Sequence, residues 1–258
     1  MAASKKKPSQ LAEKFISYLG CPCEIFAGLE DDDEMVGAYK EAVEDGRANG
    51  YIPLLIIPDE TLFEQITIDF VDDSDLGFDP AEVASRRIEI LKDAENVDAK
   101  ACLDDLWLEL TEGENSENYE PGPVEGDNIL SYFSSYWDYD TNRTMEVILA
   151  RIPAAHPWEL AAWMPMGGFN DCTTPENQVA VMKRWHEKYG AMPALVASDA
   201  WEFTVPEPLS DKEEALKLAY EHYAFCFDRV EQYGRDEYKT GNLADSLMKS
   251  TVWYFWWD

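Results

Sequence analysis

Two glycines, an amide, a carboxylate and a thiol stand together in Gly167-Gly168-Phe169-Asn170-Asp171-Cys172, the most site-like stretch of the chain. Glycine lets the backbone take positive φ or approach a ligand closely, and it leaves amide donors accessible. Asn170 and Asp171 add a donor, acceptors and a charge, and Cys172 adds a nucleophile. Thr174-Pro175-Glu176 opens a helix just beyond, and a thiol near a helix N-terminus has a lowered pKa. The competing reading is an Asx turn, which Asn and Asp after glycine commonly close. The sequence leaves both readings open.

Four carboxylates, Asp199, Glu202, Asp228 and Asp258, could pair for acid–base work. Asp199 also suits a hairpin turn, Glu202 the outer face of a strand, and Asp258 is the chain terminus. Asp228 falls near a helix end, where the dipole disfavours an anion. His222 and Cys226 stand at i and i+4 on a predicted helix and share a face. With Cys172 they fall short of the full ligand set of a structural zinc. Cysteine is among the most buried residue types, so core packing is the expected role, with no metal and no cofactor. Cys21-Pro22-Cys23 has a closer spacing than zinc or redox pairs use and reads as a short turn. His156, His186 and His222 sit in three different elements. No serine occupies a nucleophile elbow, and phosphate-loop and dinucleotide fingerprints are lacking.

The elements that must hold these groups follow from periodicity and caps. Ser9 caps a predicted helix over Gln10 to Leu19, and Asp31 to Glu34 leads a second one reaching about Ala48 and stopping at Asn49-Gly50. Tyr51 to Ile57 is a continuous apolar run closed by Pro58, which suits a strand buried on both faces. Asp79-Pro80-Ala81-Glu82 starts another helix. Further on, Thr144 to Ile152 reads as a strand, Pro175 to Tyr189 as a helix ended by Gly190, and Ala194 to Val205 as a hairpin around Ser198-Asp199. Ser210-Asp211-Lys212-Glu213 is a capping box whose helix runs to about Asp228. Asn242 to Lys249 is a short helix. Val252 to Trp257 is apolar on both faces and is expected inside the sheet. The fold class is mixed α/β (α+β). A C-terminal mixed sheet with two main packing helices follows a smaller acidic N-terminal α/β part.

Several C-terminal segments form a recognisable series: Gly167 to Cys172, Trp185-His186-Glu187-Lys188-Tyr189-Gly190-Ala191, Asp199 with Glu202-Phe203, Glu221-His222-Tyr223-Ala224-Phe225-Cys226 with Asp228, and Val252-Trp253-Tyr254-Phe255-Trp256-Trp257-Asp258. In this order they resemble the Domain of Unknown Function 4253 family of bacterial proteins, over roughly residues 145–258. Pro53-Leu54-Leu55-Ile56-Ile57-Pro58-Asp59 resembles the leader found before that domain in some members. The resemblance implies no activity, cofactor or catalytic residue.

The chain has 258 residues, with 21 Lys and Arg against 52 Asp and Glu, a net charge of −31. Hydrophobic residues make up 46%, which excludes global disorder. Such acidity argues against nucleic acid and against anionic membrane surfaces as partners. The stretch 101–140 holds no basic residue, and 111–128 reads as a solvated acidic linker or loop. It would join an acidic α/β region, residues 1–110, to an aromatic-rich domain, residues 129–258. Seven of the nine tryptophans follow residue 141, so the large aromatic core belongs there. Lys5-Lys6-Lys7 is not followed by the apolar region of a signal peptide, and five scattered cysteines suit a reducing compartment. The expectation is a cytoplasmic, non-enzymatic interaction protein of the immunity or inhibitor kind, binding a basic protein. The alternative is an enzyme or small-ligand binder built around Gly167 to Cys172.

Overall fold

Short polar caps start four of the five described helices of the N-terminal region, and apolar stripes bury them. Ser9 Oγ accepts the Ala12 amide at 3.0 Å to open α1 (Gln10–Leu19), which is followed by β1 (Cys23–Phe26). Helix α2 (Asp33–Asn49) ends on Gly50, whose φ of 74° suits glycine. Strand β2 (Ile52–Ile56) is the predicted apolar run, and the residue after Pro58, Asp59, caps α3 (Glu60–Thr67) by accepting the Leu62 amide at 3.1 Å. Helices α4 (Pro80–Ala94) and α5 (Ala99–Leu110) are capped by Asp79 and Asp98. The computed structural model describes residues 7–70, 78–115, 117, 119–125, 129–232 and 238–258.

The second half supplies a two-stranded ribbon, β3 (Trp137–Asp138) and β4 (Arg143–Thr144), then β5 (Val147–Ile152), α6 (Leu160–Trp163), α7 (Pro175–Tyr189), β6 (Met192–Val196) and β7 (Ala200–Thr204). Helix α8 (Lys212–Phe225), α9 (Asp228–Glu231), α10 (Thr240–Leu247) and β8 (Val252–Trp256) complete the chain. The main sheet has the order β1-β5-β2-β6-β7-β8. Only β2 and β6 pair in parallel, and the other neighbours are antiparallel. Strands β1, β2, β6 and β8 therefore run the same way. The mixed α/β class and the mixed sheet agree with the sequence expectation, and α7 and α8 are its two long C-terminal helices.

The sheet is covered unequally. Leu54, Ile56, Ile148, Ala150, Trp201, Phe203, Trp253 and Phe255 point to one face, which meets α1 and α3 to α8 and α10. Leu55, Ile57, Val147 and Leu149 point to the other, which meets Met35, Tyr39 and Ala42 of α2 and the segment holding Phe133 and Tyr136. Alternation along each strand produces this division. On the first face Trp185 stacks on Phe255 at 5.3 Å and meets Phe225 edge-on at 5.0 Å.

Three sequence expectations change. Strand β8 lies at the edge of the sheet, paired with β7 as its one neighbouring strand among the described residues, yet Trp253 and Phe255 are buried, as is Trp257 just after it. Apolar faces demand cover for side chains, and helices supply it at an edge as well as inside. Part of the supposed solvated linker or loop is docked: Tyr119 O accepts from Tyr220 Oη, Pro121 O accepts the Gly241 amide at 2.8 Å, and Glu125 O accepts from Asn242 Nδ2, whereas Glu112 to Asn115 and Glu117 are exposed. A Cβ on Gly241 would sit 2.4 Å from Pro123 O, so glycine permits this approach. The N-cap of α8 is Asp211, whose carboxylate accepts the Glu214 amide at 2.8 Å, one residue later than the expected box.

Candidate functional site

The Gly167 to Cys172 loop is a turn closed on itself. Cys172 N–H donates to Phe169 O at 2.7 Å, and the two residues between, Asn170 and Asp171, have φ of 42° and 59°. Positive φ at both central positions is the type I′ pattern, which Asn and Asp tolerate better than other side-chain-bearing residues. Gly168 N–H donates to Cys172 O at 2.8 Å, so this amide is engaged within the loop. The sequence reading overlooked the residue that anchors the turn, Gln178. Fully buried on α7, its Nε2 donates to Met166 O at 2.7 Å and Thr173 O at 2.8 Å, and its Oε1 accepts from Trp201 Nε1 at 3.0 Å. A glutamine on the apolar face of a predicted helix is the signal that could have found it.

Cys172 does not have the lowered pKa expected of a thiol near the start of α7. It is 3% exposed, and burial pushes its thiol well above the ordinary range. Desolvation outweighs the helix terminus here. Cys226 is buried as well, its Sγ donating to Trp256 O at 3.0 Å, and burial raises its thiol to about 12. His222 lies among Trp185, Trp253 and Phe255, with ring centroids 4.6 to 4.8 Å away. Burial holds it neutral, and its Nε2 has no hydrogen-bond partner among the described residues. Among the described residues no three His, Cys, Asp or Glu side chains converge as a metal site. All five cysteines are free.

Glu202 is not on an outer face. It is 1% exposed and accepts the Ser134 amide at 3.0 Å and the Ser135 amide at 2.8 Å. Burial raises its carboxyl, and its visible work is to fix the segment that covers the second face. Asp228 also departs from expectation. Helix α8 stops at Phe225, and Asp228 opens α9, where a first-turn carboxylate is compatible with the dipole.

The strand directions bring carboxylates together. Strands β2, β6 and β8 run the same way, and the residues that follow them include Asp59, Asp199 and Asp258. Asp199 accepts from Trp256 Nε1 at 2.9 Å, while its backbone oxygen accepts the Trp257 amide at 2.9 Å. Burial raises the Asp199 carboxyl, and the charges of Asp59 and Asp258 raise it further. Asp228 Oδ2 accepts the Asp258 amide at 3.0 Å. Its carboxyl is raised by burial and by Asp258 and Asp171. Asp171 thus joins the candidate loop electrostatically to the strand ends, whereas His222 stays apart in the aromatic core. None of the five aspartates forms an ion pair with a described residue. Asp59 escaped notice because its helix-capping role accounts for it fully.

Residues 148–258 match the family described as Domain of unknown function (DUF4253). The matched span holds Asp171, Asp199, Asp228 and Asp258, while Asp59 and β2 lie outside it. Comparison with curated proteins gives no match, and comparison with solved structures gives none. Among the described residues no helix is long and apolar enough to cross a membrane.

Proposed function

We propose that this is a cytoplasmic binding protein without catalytic activity of its own, of the immunity or inhibitor kind, which takes a basic protein at the acidic end of its main sheet. The observation that carries the reading is the grouping of Asp59, Asp199 and Asp258 with Asp171 and Asp228, in which the neighbouring charges acting on Asp199 and Asp228 are negative. Like charges held together raise one another's cost, and a cation from outside relieves it. A net charge of −31 adds long-range attraction for the same partner. The alternative, an enzyme or ligand site at Gly167 to Cys172, has less support, because its thiol is buried and one of its glycine amides is engaged within the turn.

The test is affinity capture at low salt, followed by measurement of binding to the recovered protein. Asp171→Asn with Asp258→Asn should weaken binding about tenfold or more, with a shallower salt dependence. Asp93→Asn with Glu95→Gln removes the same charge from exposed positions at the end of α4 and should change it little. Recovery of no basic protein, or equal weakening by both pairs, would count against the reading.

A further inference from the structure

In a chain this acidic, a place where cations gather needs a reason. Lys100 of α5, Arg184 and Lys188 of α7 and Lys217 of α8 all line one cleft of about 180 Å³, four of the 21 basic side chains of the chain. Two carboxylates, Asp104 and Glu221, share the lining. Both are occupied: Lys100 pairs with Asp104, and Glu221 accepts Arg184 Nη2 at 2.7 Å and Trp185 Nε1 at 2.9 Å. Lys188 reaches Glu214 at 2.5 Å, and Glu214 also accepts the Tyr189 hydroxyl. A second hollow of about 380 Å³ shares Lys100, Arg184 and Lys188 and is also lined by Asp98 and Glu187.

The apolar side of the lining points to the same kind of ligand. Trp107 is 5% exposed, and its indole Nε1 is buried with no hydrogen-bond partner among the described residues. An indole N–H can only donate, and so can ammonium groups, so the site wants an acceptor. Leu103 and Tyr220 stand beside it in the lining. We propose that this cleft binds a phosphate group, held by the ammonium groups of Lys188 and Lys217 and by the Trp107 N–H, beside the Arg184–Glu221 ion pair. A compact dianion suits point-like ammonium charges better than a planar carboxylate, which asks for a free guanidinium fork. The cleft shares no residue with the acidic sheet end, so this inference stands or falls apart from the proposed function.

Calorimetric titration of the full chain tests it, with inorganic phosphate, glycerol phosphate and acetate as probes. Saturable one-site binding of inorganic phosphate is expected, with acetate bound far more weakly. Lys217→Gln and Trp107→Phe should each weaken phosphate binding about tenfold, the loss expected for one charge-assisted or buried hydrogen bond. Lys92→Gln, at an exposed position on α4, should leave it unchanged. Glycerol phosphate binding as well as phosphate would identify the phosphate group of a larger molecule as the ligand. Binding of inorganic phosphate alone would identify the free anion. No saturable phosphate binding, acetate bound equally well, or equal affinity in Lys217→Gln and Lys92→Gln would overturn the proposal.

Discussion

A thiol's position in the sequence and its position in the fold give different orders of reactivity. Cys172, the natural candidate beside a helix start, is buried and pushed upward, and Cys226 is shut in below Trp256. Cys21 differs: the neighbouring Cys23 thiol and the Arg87 guanidinium hold it below the ordinary thiol range despite burial. It is also only half-buried. Because the thiolate is the nucleophile, iodoacetamide at neutral pH should label Cys21 before Cys172 and Cys226. Peptide mass spectrometry over a time course reads the order, with Cys172 and Cys226 reacting only once denaturant is added. Early labelling of Cys172 would restore the candidate loop as a place for nucleophilic chemistry.

At the scale of an element, the loop before α7 depends on one glycine far more than on its neighbour. A Cβ on Gly167 would lie 2.2 Å from Thr173 O, at a φ of 139° that side chains rarely take. Gly168 has a φ of 76°, and no atom of a described residue lies within 4 Å of an added Cβ. Gly167→Ala should therefore cost more than about 3 kcal/mol, against about 1 kcal/mol for Gly168→Ala. Urea melts of the two variants compare them, and equal losses would mean that Gln178 does not hold the turn as tightly as its bonds suggest. The double glycine was visible in the sequence, but which of the two is indispensable was not, because that rests on Thr173 and Gln178 meeting it in space. The same limit applies elsewhere. The caps Ser9, Asp79 and Pro175 with its C-terminal Gly190 could be read directly, since they act within a turn of where they stand. The gathering of Asp59, Asp171, Asp199, Asp228 and Asp258 depends on strand order and direction, which no local pattern carries. Glu202 was misplaced for a related reason: period-two alternation puts it opposite Trp201 and Phe203, but it cannot tell that Ser134 and Ser135 cover that opposite face.

At the scale of the whole molecule, composition and topology divide the chain differently. Charge and aromatic content change near residues 111–128, whereas the main sheet runs across that boundary, with β2 seated between β5 and β6. Strand β1 then closes the far side of β5. Leu54, Leu55 and Ile56 of β2 are fully buried, so they touch both faces of the core. Burying three such side chains is worth roughly 5–9 kcal/mol. That is comparable with the whole net stability of a typical domain, about 5–15 kcal/mol. A chain of residues 129–258 alone would also expose the ladder positions of β5 and β6 that β2 now fills, at Leu149 and Leu195 among others. We therefore expect that fragment to lack a cooperative thermal transition and the near-ultraviolet circular dichroism of its packed tryptophans. Adding residues 1–128 should restore both, because the docked Pro121–Glu125 segment and β2 supply the missing contacts without needing a continuous chain. A sharp melt of 129–258 by itself would show that β2 completes a core the C-terminal region can already hold, and would make the acidic end built from Asp199, Asp228 and Asp258 separable from Asp59.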